Sequence, residues 1–151
     1  MARPFPSRRG APRVTTERPD IAKTLSLLKP FQRAAVDHAF DRLYLAEDTD
    51  RSNRFLIADE VGLGKTMIAR GIVARAIDHL WDSIDRIDIV YVCSNATIAR
   101  QNLEKLAFAE MVPVDRITML PINASALSKR KLNFIACTPG TSFNLKSRIG
   151  K

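Results

Sequence analysis

The sequence predicts an α/β protein with a doubly wound parallel sheet, its strands joined by right-handed crossovers. Three observations lead there. Short apolar runs alternate along the chain with segments of helical period. The run Ile89-Val90-Tyr91-Val92-Cys93 is apolar without alternation, the pattern of a parallel strand covered on both faces. Three polar strings, beginning near Asp59, Ser94 and Thr138, each follow a strand, so they share the sheet edge at which such folds bind ligands.

The elements follow in order. Pro30 sits where it can start a helix, and Val36, Ala39, Phe40, Leu43 and Tyr44 recur at helical spacing through about Ala46. A polar loop over 47–53 leads to a first strand, Arg54 to Ala58. The helix beginning near Gly64 carries Ile68, Ile72, Val73, Ile77, Leu80 and Trp81 on one face, a stripe that belongs against a core. A turn over Asp82 to Arg86 precedes a second strand, Ile87 to Cys93. Ser94-Asn95 or Thr97 can cap the next helix, which is expected to run to about Met111 and stop before Pro113. A third strand is expected at Ile117 to Leu120 and a fourth at Asn133 to Cys137.

With 151 residues, 46% hydrophobic and 26% charged, the chain has the size and apolar content of about one globular domain. Arg70 and Arg75 interrupt its longest apolar helix, so no membrane span is expected, and the N-terminus has no apolar signal region. The expected location is cytoplasmic. Cys93 and Cys137 read as reduced core thiols, and His38 and His79 as structural or solvated side chains. No Cys/His grouping has the spacing of a metal site.

The net charge of +8 favours polyanionic partners, nucleic acid first, although a solubility surface explains it as well. Part of that charge lies on a tail. Arg3, Arg8, Arg9, Arg13 and Arg18 are interspersed with Pro4, Pro6, Pro12 and Pro19, a composition that holds neither helix nor core. Residues 1–20 are read as a disordered basic arm and 21–151 as the folded domain.

Chemistry concentrates in Asp59-Glu60-Val61-Gly62-Leu63-Gly64-Lys65-Thr66. Glycines allow backbone N–H groups to turn inward around a phosphate chain. Lys65 supplies a point charge for the β- and γ-phosphates, and Thr66 a hydroxyl for Mg²⁺. The helix that follows aims its positive end at the same anion. The general phosphate-loop pattern has glycine where this chain has Asp59.

Four strings together resemble the front half of a superfamily-two helicase motor of the Swi/Snf-like, DEAD/DEAH-like kind. Leu28-Lys29-Pro30-Phe31-Gln32 is similar to that family's Leu-x-Pro-(Tyr/Phe)-Gln string. Residues 59–66 follow its Asp-Glu-x-Gly-Leu-Gly-Lys-Thr form, in which Asp59 is the family's own variation. Ser94-Asn95, with the helix containing Arg100-Gln101-Asn102, stands where its first nucleic-acid motif stands, and Thr138-Pro139-Gly140-Thr141 where its next one does. The resemblance covers about residues 24–148. It implies a P-loop NTPase, RecA-like three-layer sandwich, incomplete at its C-terminus.

The resemblance implies roles residue by residue. Gly62, Leu63, Gly64, Lys65 and Thr66 would hold ATP phosphates, with Thr66 on Mg²⁺, and Gln32 would offer donor and acceptor to adenine. Ser94, Asn95, Thr138, Gly140 and Thr141 would hold the sugar-phosphate backbone of a nucleic acid, DNA before RNA. Capping and turn formation account for each of these five equally well. Lys129-Arg130-Lys131 could add electrostatic grip, or form a solvated loop. Asp59 and Glu60 are expected to be turned from the phosphates.

Hydrolysis by such motors also needs a later acidic motif and an arginine from a second motor domain. Asp-Glu occurs here only at Asp59-Glu60. Two readings follow: the ATP-binding portion of a DNA helicase or translocase, inactive alone, or a nucleotide- or nucleic-acid-binding module without turnover. A P-loop kinase or unrelated ATPase fits less well with Gln32 ahead of the loop and Thr138-Pro139-Gly140-Thr141 after it.

Overall fold

The computed structural model describes residues 17–47, 49–60, 62–108, 113–114 and 127–137. Helices α1 (Ile21–Ser26), α2 (Pro30–Phe40) and α3 (Lys65–Leu80) precede strand β1 (Ile87–Val92). Helix α4 (Ala96–Leu106) and strands β2 (Pro113–Val114) and β3 (Leu132–Cys137) follow. The strands are parallel in the order β1-β3-β2. A strand added between two that precede it in sequence requires crossover connections, which is the expected α/β logic.

One face of this sheet carries the core. Side chains alternate along a strand, so Ile87, Ile89 and Tyr91 of β1 share a face, in register with Leu132, Phe134 and Ala136 of β3. Ile87, Leu132 and Phe134 form one buried cluster with Ile21 of α1, Ala74 and Ile77 of α3, and Leu106 of α4. Fully burying a side chain such as Ile77, Leu132 or Phe134 contributes roughly 1.5–3 kcal/mol. The other face differs from the sequence expectation. Val90 and Val92 are 57% and 74% exposed, so among the described residues β1 is covered on one side only.

Helix α2 forms a further layer on α3. Leu28, Val36 and Ile68 make a second buried cluster, and Gly71 is the point of closest approach. A Cβ there would lie 2.6 Å from Val36 Cγ2 and 2.9 Å from Leu28 Cδ1. Arg75 clamps the same pair of helices. It bonds Asp37 and lies over the Phe40 ring at 4.3 Å.

Several elements depart from the sequence reading. Helix α1 was not foreseen; Asp20 caps it by accepting from the Lys23 N–H. Arg18 pairs with Asp78 at 2.6 Å and Asp82 at 3.4 Å, so the folded part begins inside the segment read as a tail. The helix expected through Ala46 widens into a π-helical turn over Asp41–Leu45, where Phe40 and Tyr44 stack at 5.0 Å and Ala46 N–H bonds Asp41 C=O. Helix α4 ends at Leu106 rather than near Met111, and Pro113 begins β2. The strand expected at Ile117 to Leu120 lies outside the described residues.

The segment Arg54 to Ala58 is not a strand. A strand needs a ladder partner, and among the described residues β1, β2 and β3 pair only with one another. The segment is held from the helical side instead. Phe55 meets His38 of α2 edge-on at 5.5 Å, and Ile57 packs on the Leu28–Val36–Ile68 cluster. The cysteines are free, as expected, but half-buried rather than in the core, and Cys93 N–H donates to Cys137 C=O at 3.0 Å.

Candidate nucleotide-binding site

The loop before α3 has the backbone its glycines foretold. Gly62 and Gly64 have φ of +94° and +82°, the left-handed region that side chains disfavour. The two residues turn the chain sharply into α3, for which Gly64 is the N-cap. No side chain caps this end among the described residues. The N–H groups of Lys65 and Thr66 open the helix without intrahelical acceptors, as first-turn groups do. Together with the helix dipole they form a donor set for an anion.

Lys65 ties the loop to itself. Its Nζ donates to the carbonyls of Asp59 and Glu60, both at 2.8 Å. An ammonium has three hydrogens, so one donor is left for another acceptor. Asp59 and Glu60 are both exposed and build the loop through their carbonyls.

Gln32 is brought directly to this loop. It is buried near the start of α2, with its Oε1 accepting from Lys29 N–H at 3.0 Å. Its Nε2 donates to Leu63 C=O at 3.0 Å, and the same atom lies 2.6 Å from where a Gly64 Cβ would be. The amide intended for a base edge therefore already braces the loop, with one N–H hydrogen and one oxygen lone pair in reserve.

Thr66 is half-buried and faces α4, where its hydroxyl donates to Asn102 Oδ1 at 3.5 Å. Asn102 Nδ2 in turn donates to the Tyr91 phenol of β1 at 2.8 Å. Burial pushes the Tyr91 phenol above its ordinary pKa, which keeps the hydroxyl protonated. The sequence places Asn102 only in the helix of the first nucleic-acid string, and gives no sign that it or Tyr91 adjoins Thr66. Asn102 on the inner side of α4 was the available signal, but its partner lies 36 positions away.

The expected nucleic-acid residues separate. Asn95 is the N-cap of α4, its Oδ1 accepting from Thr97 N–H at 2.9 Å and Ile98 N–H at 3.1 Å. Its amide nitrogen is the group left to face a partner. Ser94 is exposed beside it, at the carboxyl end of β1. Thr138, Gly140 and Thr141 lie outside the described residues; β3 ends at Cys137, immediately before them. Of the run Lys129-Arg130-Lys131, Lys131 serves the fold. It donates to Ile84 C=O at 2.7 Å and sits over the Trp81 ring at 5.2 Å.

Compared with protein-family models, curated proteins and solved structures, the chain matches none. The site is therefore read from its own geometry.

Among the described residues, no group of three His, Cys, Asp or Glu could hold a metal ion. A Mg²⁺ ion at this loop would have to bring most of its ligands with it, and Thr66 would be the hydroxyl offered to it. Also among these residues, no helix is long and apolar enough to cross a membrane.

Proposed function

We propose that this chain is the ATP-binding portion of an ATP-dependent helicase or translocase acting on nucleic acid, DNA rather than RNA. In this reading the fold is a P-loop NTPase of RecA-like type, and ATP and Mg²⁺ are its cofactors. One observation carries the reading: two left-handed glycines turn the chain into an uncapped helix whose first residues are Lys65 and Thr66. Backbone donors, a flexible ammonium and a hydroxyl are thus supplied by consecutive residues at one helix start. That combination suits a polyphosphate with a bound divalent cation.

Within the loop, Gly62 and Gly64 shape the cradle, and Leu63 lends its carbonyl to Gln32. Lys65 would exchange loop carbonyls for phosphate oxygens, and Thr66 would offer an oxygen lone pair to Mg²⁺. The metal supplies charge neutralisation at the phosphates when bound. Gln32 would meet adenine with the donor and acceptor its loop contacts leave over. Ser94 and Asn95, with Thr138, Gly140 and Thr141, would hold a nucleic-acid backbone.

A binding module without turnover is the second reading, and one feature favours it. The Asp-Glu pair of this sequence is built into the loop, where its carbonyls hold Lys65. That position is not the one of the later acidic motif with which such motors position water. These 151 residues are expected to bind ATP but to hydrolyse it near background.

The test is equilibrium binding of fluorescent ATP. Replacing Lys65 by Ala should weaken binding at least about tenfold, the scale of one hydrogen bond to a charged group. Wild-type protein that binds no ATP, or binds it equally after Lys65→Ala, refutes the reading. Hydrolysis that survives purification and disappears in Lys65→Ala would instead refute the binding-only alternative. Nucleic-acid binding should weaken steeply as salt rises.

A further inference from the structure

A continuous set of polar side chains leaves the phosphate loop on the side of α4. Thr66 Oγ1 donates to Asn102 Oδ1 at 3.5 Å, and Asn102 Nδ2 donates to Tyr91 Oη at 2.8 Å. Three residues from α3, α4 and β1 are thereby joined.

The directions of these bonds are mutually consistent. The Tyr91 phenol oxygen has lone pairs to accept from Asn102 Nδ2. Asn102 then presents its amide nitrogen to Tyr91 and its oxygen to Thr66. The Thr66 hydroxyl has one hydrogen and two lone pairs. Giving the hydrogen to Asn102 leaves the lone pairs for a cation. The opposite amide orientation would spend a lone pair on an N–H donor instead. The 3.5 Å bond is long, as hydrogen bonds of this kind often are before the ligand tightens them.

We infer that Asn102 is a positioning residue that turns the Thr66 hydroxyl toward Mg²⁺ on the nucleotide, with Tyr91 holding the Asn102 amide in that orientation. The inference rests on the ATP-binding reading above and deepens it by naming the group that orients the metal ligand.

The test measures affinity for ATP with and without Mg²⁺ in wild type, Asn102→Ala, Tyr91→Phe and Lys65→Ala, with far-UV circular dichroism to confirm folding. Removing a group that orients a metal ligand typically lowers metal-linked affinity about 10–100-fold. Asn102→Ala should therefore lose the Mg²⁺-dependent gain in ATP affinity while Mg²⁺-free binding stays within about twofold of wild type. Tyr91→Phe should lose part of the same gain. A merely structural role would lower both affinities together. An undiminished Mg²⁺ gain in folded Asn102→Ala, with Lys65→Ala still deleterious, overturns the positioning role and leaves ATP binding standing. If Asn102→Ala does not fold, Tyr91→Phe decides, and an unchanged Mg²⁺ gain there overturns the inference. Indifference of ATP binding to Lys65→Ala defeats both readings together.

Discussion

Gln32 Nε2 donates to the carbonyl of Leu63 at 3.0 Å, a bond that spans 31 positions and holds helix α2 against the phosphate loop. Loop and helix consequently respond as one unit to anything that displaces either. This changes what a substitution at Gln32 measures.

Gln32→Ala should remove both the loop brace and any adenine contact. The lost hydrogen bond leaves the Leu63 carbonyl without its partner and costs about 1–3 kcal/mol of stability. Urea melts would register that. Competition of ATP against CTP separates the two roles. A fall in ATP affinity with an unchanged ATP/CTP ratio assigns Gln32 to the loop alone, and loss of the ratio assigns it to the base.

Gly64 and Gly62 should differ in their tolerance of alanine. Both pay the left-handed backbone cost, about 1–2 kcal/mol per residue. Only at Gly64 does the new Cβ also meet a side chain, Gln32 Nε2 at 2.6 Å, whereas at Gly62 it meets nothing within 4 Å. Gln32 is buried and held by two hydrogen bonds, so it cannot simply swing aside. Gly64→Ala should therefore be the more destabilising in thermal melts, and the difference should shrink in a Gln32→Ala background.

At Gly71 the effect is on packing rather than backbone. Alanine would gain up to about 1 kcal/mol of helix propensity. Against this, its Cβ would press Val36 and Leu28 well inside van der Waals distance, and overpacking of a close helix crossing costs about 1–3 kcal/mol. A net loss of stability is expected, read as a lower urea midpoint with unchanged slope. A gain would show that α2 shifts on α3 freely.

Asn95 offers a way to separate capping from nucleic-acid contact. Asn95→Ala should cost about 1 kcal/mol, the usual scale for losing an N-cap. Asn95→Asp keeps an acceptor for the Thr97 and Ile98 N–H groups and suits the helix dipole. The aspartate should match wild-type stability yet weaken nucleic-acid binding, because it places a negative charge where a phosphate would sit. Equal nucleic-acid binding by Asn95→Asp and wild type would confine Asn95 to its capping role.

Some departures between sequence and structure share one cause. The apolar stripe of α3 and a cap within Ser94 to Thr97 were legible because each depends on residues a few positions apart. The segment Arg54 to Ala58 was misread because its apolar composition suits a strand, while strand identity depends on a neighbour elsewhere in the chain. Its neighbours are His38 and the Leu28–Val36–Ile68 cluster, which side-chain packing selects. Unalternated apolar runs likewise say what a strand tolerates on each face. They do not say what covers it, as Val90 and Val92 demonstrate.

The sequence by itself determined the sharp glycine turn into α3, since Gly62 and Gly64 lie two positions apart and their conformational freedom is intrinsic. Tertiary structure alone decided which groups brace and orient that loop. Gln32 reaches Leu63, and Asn102 joins Thr66 to Tyr91, because α2 and α4 both pack on α3. Such partners are set by short distances between residues remote in the chain, and no local periodicity encodes those distances.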